Sequence, residues 1–198
     1  LMNPKIAEAH KILGEIKMAT GNYNEAISSF NKAIRISPEN TAAINGLGRV
    51  YSLLNDEKRS LLFFNKLVLI SQSFDSYNDL GATYARFGLN EEAILNFKKA
   101  LGINPRSAET YFNLGNIYIK RKDYEEGINF YHKAIEQKPN YFKTYYNLGI
   151  TYEALNKPLK AAEYYQKALA LNPKHMLAHF GLGNAFLKSN QAESALLE

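Results

Sequence analysis

The sequence predicts an all-α fold, a solenoid of antiparallel helix hairpins, on three observations. The pair Leu-Gly recurs at Leu13-Gly14, Leu47-Gly48, Leu80-Gly81, Leu114-Gly115, Leu148-Gly149 and Leu182-Gly183, at spacings of 33 or 34 residues. A ring stands three residues after most of these glycines, at Tyr51, Tyr84, Tyr118, Tyr152 and Phe186, with Lys17 the exception. A second ring follows in phase at Phe30, Phe64, Phe97, Tyr131 and Tyr165, each trailed three residues later by Ala33, Leu67, Ala100, Ala134 or Ala168. Self-similarity at a fixed period of this length marks a stack of supersecondary units.

Each unit reads as two helices. The first places Tyr111, Leu114, Ile117 and Tyr118 on one helical face, and the second does the same with Ile128, Tyr131, Ala134 and Ile135. Polar turns such as Ala19-Thr20-Gly21-Asn22 and Phe87-Gly88-Leu89-Asn90 separate them. Acids gather where second helices begin, at Glu25, Glu91, Glu92, Glu125 and Glu126, and a lysine lies near each end. Both placements complement the helix dipole. Pro38, Pro105, Pro139 and Pro173 close the units, because proline has no N–H to continue a helix.

The small residues are expected where two helices must approach closely. These are the glycines of the Leu-Gly pairs together with Ala26, Ser60, Ala93, Gly127, Ala161 and Ala195. A larger side chain there would overpack the contact by roughly 1–3 kcal/mol. The rings then fill the space between one hairpin and the next. A lone hairpin cannot bury its apolar face, so several must stack.

The run Ala108-Glu-Thr-Tyr-Phe-Asn-Leu-Gly-Asn-Ile-Tyr, with Tyr124-Glu-Glu-Gly-Ile and Pro139-Asn after it, resembles the tetratricopeptide repeat pattern. That resemblance implies a right-handed superhelical solenoid with a concave groove lined by first helices, which holds a peptide or helix of a partner protein. The units fall at residues 7–40, 41–73, 74–107, 108–141 and 142–175, with 1–6 as the tail of a preceding repeat and 176–198 as a partial sixth. Glu198 is expected inside the second helix of that last unit, shortly after Ala195. Neither end shows a capping element. The expectation is one solenoid domain, a fragment of a longer array, whose uncapped ends are candidates for self-association.

The groove can be followed around the Leu-Gly pair. Two residues before the leucine stand Lys11, Asn45, Asn78, Phe112, Tyr146 and Phe180. One before it stand Asn113 and Asn147, and Asn116 and Asn184 follow their glycines directly. The first half is polar and mixed in charge. The second half sets rings beside carboxamides. A carboxamide donates to and accepts from a peptide backbone at once, and rings supply contact area at modest entropy cost. Phe112, Asn113, Asn116, Lys143, Tyr146, Asn147, Phe180 and Asn184 are therefore the candidate partner-binding residues, with Asn113 and Asn147 as matching rungs of an asparagine ladder. The chaperone-tail clamp known in the family is not expected, because Asn78 and Asn147 stand where it needs basic residues.

The unit at 41–73 is the outlier: one residue short, without a closing proline, and with Leu67 in place of alanine. Its second helix is apolar on more than one face, so Leu62, Phe63 and Leu69 are candidates for a second interface. Lys32, Lys66, Lys99, Lys133 and Lys167 recur once per unit and are read as solvated charges near helix ends.

Nothing in the sequence points to catalysis. There are no cysteines, and no phosphate loop, nucleophile elbow or metal-protease motif is present. His175 and His179 are four apart, but His175 is expected in a turn and His179 at the core position that Tyr145 holds one unit earlier. No cofactor, metal or enzyme activity is expected. No stretch reaches the roughly 18 apolar residues of a membrane span. The net charge of +5 is spread without a basic block, and Glu15 and Asp79 lie among the groove positions, so nucleic acid is not the expected partner. An RNA-reading helical repeat and an architectural segment of a larger protein are the alternatives. The sequence names no compartment; the cytoplasm is the default.

Overall fold

A computed structural model describes residues 4–196, with side chains described through residue 190. It is all-α. First helices are α1 (Pro4–Ala19), α3 (Thr41–Leu53), α5 (Phe74–Arg86), α7 (Ala108–Lys120) and α9 (Phe142–Ala154). Second helices are α2 (Tyr23–Ile36), α4 (Glu57–Ile70), α6 (Asn90–Ile103), α8 (Tyr124–Gln137) and α10 (Pro158–Leu171), and α11 (Met176–Leu196) follows. The chain divides into two compact units, residues 1–105 with α1–α6 and residues 106–198 with α7–α11.

Each of the five hairpin turns contains one residue in the left-handed backbone region: Gly21, Asn55, Gly88, Lys122 or Asn156. That single inversion ends the first helix and sends the chain back along it. Glycine adopts it freely and asparagine at small cost. Lys122, at φ 67°, has neither advantage.

The second helices end before the prolines. Ser37, Asn104 and Lys138 are the C-caps; Lys138 lies at φ −141°, ψ 87°, and Ser37 and Asn104 are extended, as the residue before a proline prefers to be. Ser71 adopts the same conformation (φ −135°, ψ 103°) with no proline after it. Hydroxyls take over there. Ser73 caps α5 by accepting from the Ser76 N–H, the Ser76 hydroxyl accepts from the Ser73 N–H, and it also donates to the Ser71 carbonyl. The missing proline of the irregular unit is thus replaced by three serines.

Side-chain caps also open most other first helices: Asn40 on Ala43, Ser107 on Thr110, and His175, through Nδ1, on Ala178. Before α9 the cap position holds Tyr141, which supplies no acceptor. The Thr144 hydroxyl, fully buried, is left without a partner.

The core of each unit is built from rings set against glycines. In unit 1 Phe30 is fully buried, and a Cβ on either Gly14 or Gly46 would collide with its ring. In unit 2 Tyr165 lies in the same way between Gly149 and Gly181, where an added Cβ would come within 2.6 Å of ring carbons. Phe64 faces Gly48 and Phe97 faces Gly81. The expected close approach is therefore helix to ring at the Leu-Gly glycines, and helix to helix at Gly127, where Ile119 of α7 is the obstacle.

Two expectations differ from what the fold shows. A second helix was expected around Ala195, but α11 runs unbroken from Met176 to Leu196. Asn190 stands at the register of the left-handed turn residues yet is helical. Ala195 is helical, and its side chain lies outside the described residues. Gly183 accordingly has no described neighbour near its Cβ position. His179 is also not a core residue: it is exposed and bonds the Pro173 carbonyl at 2.8 Å, as the half-buried Tyr145 bonds that of Pro139 at 3.0 Å. Position and partner are shared, so this site caps the inter-repeat turn.

Candidate peptide-binding face

Unit 2 presents the first helices α7, α9 and α11, and its polar centre is a triangle of three side chains. The Tyr131 hydroxyl, from α8, donates to Asn116 Oδ1 at 2.7 Å. Asn147 Nδ2, from α9, donates to the same Oδ1 at 2.9 Å and to the Tyr131 oxygen at 3.3 Å. Burial pushes the Tyr131 hydroxyl up to about 12, so it stays protonated and remains a donor. These bonds fix both carboxamides. They leave the Asn116 N–H groups and the Asn147 carbonyl oxygen outside the triangle, a donor and an acceptor on adjacent helices. One hairpin further on, Ile150 and Gly181 stand at the equivalent positions, and Tyr165 instead donates to Glu153 Oε2 at 2.5 Å.

The rings flank this centre. Phe112 is half-buried between Tyr131 and Tyr141, at ring separations of 5.8 and 5.2 Å. Tyr146 is half-buried against Tyr165 at 5.9 Å and His175 at 4.9 Å. Each therefore wedges between its own hairpin's core ring and the residue just before the next first helix, with one edge left on the surface. Phe180 has no such cover and is 68% exposed. Asn184 is half-buried and Lys143 exposed. Asn113 is half-buried and makes no side-chain bond to the described residues of unit 2.

The structure thus brings together Phe112, Asn116 and Asn147 around Tyr131, with Tyr146 packed on Tyr165 and His175. The carboxamide pair is Asn116 with Asn147. Sequence reasoning did not include Tyr131, which it assigned to the core, or His175, which it assigned to a turn. Both roles follow from the register, since each falls one helix away from a groove position.

In unit 1 the second helix of the irregular hairpin exposes Leu62 (62%) and Leu69 (82%). Phe63 is half-buried and stacks on Tyr51 at 5.6 Å and 7°. Among the described residues no three His, Asp or Glu side chains are grouped to hold a metal ion, and no helix is long and apolar enough to cross a membrane.

Comparison with known proteins agrees with the geometry. Tetratricopeptide repeat models match residues 106–174, residues 14–55 with 88–120, and residues 164–196. Anaphase-promoting complex subunit 3 of Schizosaccharomyces pombe is 26% identical over 104 residues. That match takes in 52% of this chain and only 16% of the yeast protein. The crystal structure of MamA superposes with a TM-score of 0.72 at 26% identity, covering 82% of this chain and 95% of MamA. That of YrrB, described as a TPR protein with an unusual peptide-binding site, superposes at 0.68 with 23% identity, covering 86% and 89%. The glycine-and-ring hairpins and these matches lead to one assignment: the chain belongs to the tetratricopeptide repeat family.

Proposed function

We propose that the chain is a protein-binding module rather than an enzyme, and that its unit 2 face holds a peptide or helix of a partner. The observation that carries this reading is the Asn116–Asn147–Tyr131 triangle. It holds a carboxamide donor and a carboxamide acceptor in fixed orientation beside the partly exposed rings Phe112 and Tyr146. A peptide group needs one donor and one acceptor, and preorganised carboxamides supply them at low entropic cost. Phe180, Asn113, Lys143 and Asn184 extend the same face. The peptide-binding site ascribed to YrrB supports the class of ligand.

The test is selection of peptides from a displayed random library on the wild-type chain, followed by affinities for variants. Asn147→Ala and Tyr146→Ala are each expected to weaken the selected peptides about tenfold or more. Variants that bind those peptides as wild type does would remove this face from the function.

Self-association is a second reading, favoured by the apolar surface of α11, where Met176 is 83% exposed and Leu187 64%. Leu62 and Leu69 on α4 offer another such surface. Sedimentation equilibrium decides it: oligomers of the wild type should dissociate in Leu187→Glu or in Leu62→Glu with Leu69→Glu, and a monomeric wild type ends the idea.

A further inference from the structure

Unit 1 holds a pocket of about 370 Å³ that the unit 2 site does not involve. Arg49 and Leu53 of α3, Phe64 of α4, and Asp79, Ala82 and Arg86 of α5 line it. Arg49 and Asp79 sit on neighbouring first helices, and Arg86 lies two turns beyond Asp79 on the same helix. Phe64, almost wholly buried, forms an apolar wall with Leu53 and Ala82.

The polar groups of the pocket are unevenly committed. Asp79 Oδ2 accepts from Asn45 Nδ2 at 2.5 Å, and the Thr83 hydroxyl is spent on the Asp79 carbonyl at 2.8 Å. Elsewhere in unit 1 cations close onto acids: Lys11 on Glu8 at 2.8 Å, Lys17 on Glu25 at 2.6 Å, Arg59 on Asp56 at 2.5 Å. Arg49 and Arg86 take part in no ion pair among the described residues, and both are exposed at the rim. Two guanidiniums against one carboxylate leave the pocket one positive charge in excess.

We infer that this pocket binds an acidic side chain, an aspartate or glutamate of a partner segment, between Arg49 and Arg86. The inference rests on the reading of the chain as a protein-binding module. A single carboxylate brings the site to neutrality. A phosphate dianion would overshoot it and place excess negative charge beside Asp79, and a basic side chain would meet two guanidiniums while the one acid is already engaged by Asn45. A guanidinium fork matches the planar carboxylate. The methylenes of a glutamate would lie against Phe64 and Leu53.

The test uses fluorescence anisotropy with a fluorescein-labelled peptide of alternating alanine and glutamate. The same peptide with glutamine for glutamate, and one with phosphoserine for glutamate, are the comparisons. Wild type is expected to bind the glutamate peptide at least tenfold more tightly than the glutamine peptide. Arg49→Gln and Arg86→Gln should each weaken that binding about tenfold. Lys32→Gln with Lys58→Gln, which removes charge away from the pocket, should change it less than twofold. Circular dichroism confirms that the variants remain helical. Equal binding of the glutamate and glutamine peptides, or equal losses from the arginine and lysine variants, would overturn the site. Tighter binding of the phosphoserine peptide through the same arginines would overturn the carboxylate assignment. Tyr146→Ala and Asn147→Ala should leave this binding unchanged, so failure of the unit 2 face and failure of this pocket are read separately.

Discussion

Tyr165→Ala is expected to destabilise the chain by about 4 kcal/mol, in the middle of the range for deleting a buried ring. The ring is 1% exposed, touches α9 at Gly149 and α11 at Gly181, and packs on Tyr146. Glycines cannot collapse into the space it would vacate, so the cavity would persist. Tyr165→Phe separates packing from hydrogen bonding. It keeps the ring and removes only the bond to Glu153, whose half-exposed carboxylate can turn to water, so a loss of about 1 kcal/mol is expected. Urea unfolding curves of the two variants settle the division. Equal losses would mean that the hydrogen bond, not the ring, holds these helices together.

The second large effect has opposite signs at two positions of one motif. Gly149→Ala should cost about 2 kcal/mol, because its Cβ would lie 2.6 Å from the Tyr165 ring and the ring has no room to retreat from Gly181. Gly183→Ala should instead add about 1 kcal/mol, since nothing described lies within 4 Å and alanine is the better helix former. Paired thermal melts check it, and a loss at Gly183 comparable to that at Gly149 would contradict the role given to the ring.

The helices were legible because the burial pattern repeats in phase. Leu47, Leu80, Leu114 and Leu148 are all buried, as the Leu-Gly register requires. The turn geometry was legible only in part: Gly21 and Gly88 announce a left-handed residue, whereas Lys122 adopts the same region although its residue type does not favour it. The continuity of α11 was hidden, since Asn190 occupies the turn register and is nonetheless helical.

The candidate site was legible as a face and not as a network. Asn116 and Asn147 were both in view. Their geometry is completed by the Tyr131 hydroxyl, which reaches them from a second helix and whose ring sequence reading had assigned to the core. Arg86 was missed for a simpler reason. It lies five residues after Gly81, beyond the positions followed around the Leu-Gly pair, and only the direction of α5 brings it to the pocket of Arg49.

The ring held between glycines of successive first helices also bears on how such a chain changes length over evolutionary time. Phe30 belongs by sequence to one hairpin and closes against the helix that begins the next. A duplication or deletion of one whole period that joins such a ring to a first helix with glycine before its Leu-Gly pair, as Gly46 and Gly181 stand, therefore rebuilds the same junction. A change of half a period would set ring against ring or glycine against glycine, leaving a clash or a void. The lattice of rings thus acts as a reading frame for the protein itself. It permits growth and loss in whole-number steps and rejects the rest at the level of folding.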